Sequence, residues 1–163
     1  MNRAIYWFLV LLLLPAAIAS ASGVRWVNFD NSTETFTIDQ TDVVGGAGGD
    51  VPATFESPDR TFSIDSWGFN PPSNWHIDVS RVDVNWNADI HLYVRRTGPG
   101  TGATLTGGTT YQEVTTSAAP FFSGSGGDCS NIPIRYQVTG SYASLGIPAD
   151  TYVTRIYYTV TAD

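Results

Sequence analysis

Lysine is absent from this sequence, and its eight basic residues are all arginine. That absence removes Schiff-base catalysis, a phosphate-cradling P-loop and any cross-link made through a lysine amine. Cysteine occurs once, at Cys129, so no internal disulfide can form and packing alone must hold the fold. Its flanks, SGSGGDCSNIP, read as a loop carrying an incidental thiol. Glutamate is scarce: Glu34, Glu56 and Glu113 stand in no recognisable context for the paired carboxylates of glycoside hydrolysis. Positive charge is scarce as well. At a formal net charge of −7 the chain is a poor nucleic-acid binder, because phosphate attraction supplies most of that affinity. Apolar runs are confined to the N-terminus, so no membrane span is expected after it.

The N-terminal run has the grammar of an export signal. Met1-Asn2-Arg3 is positive, Ala4 to Leu14 is apolar, and Pro15 ends the run. Ala17-Ile18-Ala19 and Ala19-Ser20-Ala21 then place small residues at the spacing a signal peptidase reads. A spanning helix needs roughly 20 apolar residues, more than are present. The expectation is a signal peptide over 1–21 and one domain over 22–163, secreted or held at the cell surface.

Nothing after the signal reads as helix. The longest windows free of glycine and proline, 24–44, 73–97 and 149–163, alternate with period two or are crowded with β-branched residues. Ile132, Ile134, Tyr136 and Val138 share one face of IPIRYQVT, opposite Pro133, Arg135, Gln137 and Thr139. The final segment repeats the pattern, with Tyr152, Ile156, Tyr158 and Val160 on one side and a rather apolar outer face, which points to a central strand or one lying under a neighbour. Strands are expected near 24–29, 34–39, 61–65, 75–79, 82–86, 90–96, 110–115, 132–139 and 151–161. The glycine-rich stretches 45–49, 98–108 and 123–127 read as loops. The fold class is therefore all-β: an antiparallel Ig-like or Greek-key β-sandwich of roughly eight to ten strands.

VDVNWNADIHLYVRR, Val82 to Arg96, admits two readings. Asp83, Asn85, Asn87 and Asp89 could open a calcium loop. Such a loop needs glycine at its sixth position and a bidentate acid at its twelfth, and Ala88 and Val94 stand there instead. Val82, Val84, Trp86, Ala88, Ile90, Leu92 and Val94 alternate strictly, so a strand, or two split by a turn at Asn87-Ala88-Asp89, is the better reading. Trp75, Ile77 and Val79 are apolar at odd positions, whereas Val82 onward is apolar at even ones. One register cannot bury both sets, which predicts a bulge or bend at Ser80-Arg81.

Other candidate sites reduce in the same way. Gly45 to Asp50, GGAGGD, matches one calcium-binding turn of a kind that works by stacking many copies, and reads better as a hairpin loop. His76 and His91 fall on polar strand faces beside Asp78 and Asp89, with nothing to bring Cys129 to either imidazole and no third ligand at zinc spacing. No residue is assigned a catalytic, cofactor-binding or metal-binding role, and no cofactor is expected. Trp67, in SWGFNPPSN, and Tyr93 are the candidate sugar-stacking aromatics; Trp26, Trp75 and Trp86 fit a core. Asn31-Ser32-Thr33 is a glycosylation sequon.

The ending GIPADTYVTRIYYTVTAD resembles the closing strand of spore coat protein U-like pilins. With NWHIDV upstream it is also similar to the terminal part of WxL-type cell-wall domains, and Asp150-Thr151-Tyr152 resembles a tyrosine corner. The WxL tripeptide and the usual pilin disulfide are both missing. The resemblance implies a bacterial surface β-sandwich. A secreted sandwich can stay at the surface by assembly, so the expectation is a non-enzymatic structural or adhesive subunit that associates with itself or with other cell-surface proteins by β-strand addition, the mature N-terminus VRWVNFDNSTETFTID being the segment to donate. The alternative is a carbohydrate-binding module with glycan partners.

Overall fold

The computed structural model describes residues 3–9, 24–29, 33–38, 42, 54–67, 74–140 and 150–163. Among them are eleven strands and no α-helix. They are β1 (Arg3–Leu9), β2 (Val24–Phe29), β3 (Thr33–Ile38), β4 (Thr54–Glu56), β5 (Arg60–Trp67), β6 (Asn74–Asn85), β7 (His91–Arg96), β8 (Thr101–Gly107), β9 (Gln112–Glu113), β10 (Ala119–Thr139) and β11 (Tyr152–Ala162). The all-β, antiparallel class expected from the alternation is the class observed. β1 with β11 is the one parallel pairing among the described strands.

The architecture turns on β10. Its first part pairs with β6 on one edge and β8 on the other. Its last part pairs with β5 and β4 on one edge and β7 on the other. The strand thus belongs to two layers. β6 continues through β11 and β1 to β3, while β5 continues to β2. Glycine makes the passage feasible at Gly124, which lies opposite Trp75 in the register and directly under its indole. A second irregularity follows, a register shift between Cys129 and Ile132 with Asn131 in the left-handed region at φ 53°. Asparagine tolerates that conformation, and the shift accommodates Pro133, which has no N–H to give a ladder.

The inner faces of the layers meet through aromatic residues. Phe62 of β5 packs on Phe122 of β10 and Tyr158 of β11, with ring centroids 5.9 and 5.7 Å apart. Tyr158 donates its hydroxyl hydrogen to Tyr136 at 3.1 Å inside this core. Glu34 of β3 is buried and forms an ion pair with Arg60 of β5. Ile132, Ile134, Tyr136 and Val138 are buried, as are Tyr152, Ile156 and Tyr158, so both alternations read from the sequence hold. β11 lies between β6 and β1, so it is a central strand.

Three expectations need correction. No bulge occurs at Ser80-Arg81: β6 pairs with β11 through Val82 without a shift, and the irregularity falls further on, between Asp83 and Asn85. The odd set Trp75, Ile77 and Val79 is buried, and the even residues Val82 and Val84 stay outward, 51% and 57% exposed. Beyond Val79 the strand has also lost β10 as a neighbour. Parity is reset instead by the turn at Asn87-Ala88-Asp89, where Asn87 accepts the Asp89 N–H at 2.9 Å and the Trp86 indole donates to the Ile90 carbonyl at 2.8 Å. Ile90, Leu92 and Val94 are then buried. The turn does not make a hairpin, because β7 pairs with β10 and β9 and not with β6.

The second correction concerns glycine-rich segments. β8 runs through 101–107, and β10 carries on through 123–127, where loops were expected. Antiparallel neighbours supply ladder partners to backbone that has few side chains to signal it. The third concerns Cys129. It is not in a loop but fully buried in β10, between Ile64 of β5 and Gly102 of β8. Asn31 and the loop Gly45 to Asp50 lie outside the described residues.

Candidate functional site

The structure separates the residues that nucleophilic chemistry needs together. Cys129 has its thiol hydrogen directed weakly at the Pro99 and Ala103 carbonyls, 3.8 and 3.9 Å away. Burial pushes the thiol up, so it is neutral at ordinary pH. His76 lies opposite Ser123 of β10 and His91 opposite Thr139. The second of these is ten residues from Cys129 along the strand, about 33 Å at ~3.3 Å per residue. His76 Nδ1 lies 2.6 Å from Asp163 and its Nε2 3.9 Å from Asp78. His91 Nδ1 lies 2.7 Å from Glu113.

The oxygen-bearing residues of the 82–96 stretch go to separate partners. Asp83 accepts the Thr154 hydroxyl hydrogen at 2.9 Å and faces Arg81 at 3.5 Å. Asn85 donates to Asp150 and to the Thr151 carbonyl. Among the described residues no cluster of three or more His, Cys, Asp or Glu is arranged to hold a metal ion. Of the aromatics, Trp75 is wholly buried, Trp86 is half-buried beneath the Arg81 guanidinium at 5.0 Å, and Tyr93 is half-buried. The side chains of Trp26 and Trp67 lie outside the description.

Two arrangements do stand out. The first is the position of β1. Arg3–Leu9 runs parallel to β11 on one side and antiparallel to β3 on the other, with Ile5 opposite both Tyr152 and Phe36. The part of the apolar stretch within Arg3–Leu9, read as an export signal, therefore occupies a single-strand slot inside a sheet.

The second is an arginine network that sequence reasoning missed. Arg135 donates from Nε to Asp59 at 2.9 Å and from Nη1 to Glu56 at 3.3 Å. Glu56 also accepts the Tyr111 hydroxyl hydrogen at 2.8 Å, and the Arg95 guanidinium lies over the Tyr111 ring at 4.7 Å. The Tyr111 bond, with help from Arg135, holds the Glu56 carboxyl below the usual range; burial and Glu56 together push the Tyr111 phenol up. Next in sequence, Arg96 faces the core. It is 6% exposed, donates to the carbonyls of Gly98 at 2.6 Å and Gly107 at 2.8 Å, and lies over Phe122. The signal was in the text: two adjacent arginines on a strand must point to opposite faces, so one of them had to replace a core residue.

No protein-family model matches the chain, and a search of curated proteins found no relative. Among the described residues no helix is long and apolar enough to cross a membrane.

Proposed function

We propose that the chain is a secreted, non-enzymatic structural or adhesive subunit of the cell surface that assembles by β-strand addition. The position of β1 carries this reading. If residues 1–21 are removed as a signal peptide, β3 and β11 lose the strand between them, and their facing N–H and C=O groups lose their ladder partners. Unpaired edges of that kind recruit another strand, because each backbone group regains a hydrogen bond when one inserts. A neighbouring subunit supplies it. The expected donor segment spans β2 and β3: β2 is paired with β5 in its own sheet and β3 borders the vacated slot, so donation of β2 would require it to leave that place.

The test uses the mature chain, residues 22–163, examined by native mass spectrometry and electron microscopy. Ladders or filaments are expected, together with their dispersal into monomers by a peptide of the Arg3–Leu9 sequence. A mature chain that stays monomeric and keeps its stability on dilution refutes the proposal.

A further inference from the structure

Three of the eight arginines line one shallow cleft of about 590 Å³, where β7, β8 and β10 meet the link between β4 and β5. These are Arg95, Arg96 and Arg135, and Asp59, Thr97 and Thr109 share the lining. That volume lies within the range of small-ligand sites, roughly 300–1,000 Å³.

The charge in this cleft is incompletely answered. Arg135 is matched by Asp59 and Glu56. Arg96 has only carbonyl oxygens and an aromatic face around its guanidinium, and the neutral Cys129 thiol adds no negative charge. Buried charges are ordinarily paired, since desolvation without a counter-charge is costly. Arg95 lies over the Tyr111 ring and is hydrogen-bonded to that residue, with no carboxylate paired to its guanidinium among the described residues. Three guanidinium groups against two carboxylates leave a local positive surplus in a chain whose formal charge is −7.

We propose that this cleft binds a carboxylate-bearing ligand, held by the Arg95 guanidinium with the positive charge of Arg96 behind it. A planar guanidinium presents paired N–H donors at the spacing of the two carboxylate oxygens. The threonine lining suits a small acidic sugar, either free or as a unit of an acidic polysaccharide. The site is independent of strand addition, since neither β3 nor β11 lines it.

Calorimetric titration of the purified protein at low ionic strength tests this, using sodium galacturonate, an oligogalacturonate and a neutral galactose oligomer. Both uronates are expected to bind and the neutral oligomer is not. Arg95→Gln should weaken uronate binding about tenfold or more, the worth of one charge-assisted contact. Asp59→Asn should strengthen it several-fold by removing a competing carboxylate, and added salt should weaken it. An oligomer that binds more tightly than the monomer assigns the ligand to a polymer; equal binding assigns it to a free acid. Failure of both uronates to bind at millimolar concentration overturns the proposal. So does equal binding of the neutral oligomer, or affinity unchanged in both Arg95→Gln and Asp59→Asn.

Discussion

Gly124→Ala is the sharpest single test of the packing at the strand that joins the two layers. A β-carbon built on Gly124 would stand 2.5 Å from Cη2 of Trp75 and nearer still to two other indole atoms, far inside van der Waals contact. The indole has no room to withdraw. Trp75 is fully buried and set edge-on to Phe122, with centroids 6.0 Å apart. Overpacking of this kind typically costs about 1–3 kcal/mol, and the rigid ring puts this site near the upper end, about 3 kcal/mol. For a chain of this size that is a fall in Tm of about 6–12 °C. Thermal and urea unfolding measure it, and two controls make it specific. Gly127→Ala meets nothing within 4 Å and should shift stability by less than about 1 kcal/mol. Trp75→Phe should cost stability in the parent but little or none in the Gly124→Ala background, because the smaller ring vacates the space. If Gly124→Ala is near neutral, or if the two substitutions simply add, the close approach of indole to backbone is wrong.

Other predictions follow from named contacts. Ser57→Ala removes the hydroxyl that accepts the buried Tyr136 N–H at 3.0 Å where Pro58 interrupts the β4–β5 edge, and should cost about 1–3 kcal/mol in chemical denaturation. Glu56 has its folded pKa depressed below 4.5, so its contribution is complete above that value and is lost as pH falls through the folded one. Glu56→Gln should therefore flatten the stability profile below about pH 4.5, by a modest amount because the group is exposed. Burial raises both phenols of the Tyr136–Tyr158 pair, so stability should decline as pH rises above the ordinary tyrosine value near ~10. Absorbance titration at alkaline pH should show these two tyrosines ionising only as the protein unfolds.

Much of the fold was legible because alternation is a direct imprint of one buried face. The segments around Ile132–Val138 and Tyr152–Tyr158 carry it clearly, and their inward residues are the ones buried. What alternation cannot convey is how far a strand outlasts its core. Val82 and Val84 continue the apolar pattern on the outward face of β6, where β10 is no longer beside it. Nor can it find strands built from Gly, Ser and Thr, such as β8 or the middle of β10, whose stability comes from ladder partners distant in sequence. The arginine cleft was hidden for a related reason. Its members come from the β4–β5 link, β7 and β10, and only the topology of β10 brings them together.

The cleft also lies where the regular sheet breaks down. Ser57-Pro58-Asp59 interrupts the strand edge along β10, the register of β10 shifts between Cys129 and Ile132, and Arg96 takes an inward position that follows the buried Leu92 and Val94. A sequence selected for packing alone would fill that last position with an aliphatic side chain, since burying an unanswered charge costs stability and alternation is kept everywhere else along β7. Local conflicts that survive in an otherwise consistent fold tend to mark function. The conflict at Arg96 has a direct physical consequence. Arg96→Met, which keeps the stem and deletes the charge, should stabilise the ligand-free protein or leave it nearly unchanged, provided Gly98 and Gly107 find other donors, while abolishing uronate binding. Loss of stability without loss of binding would make Arg96 a carbonyl clasp and nothing more, and the cation in the cleft would then be structural.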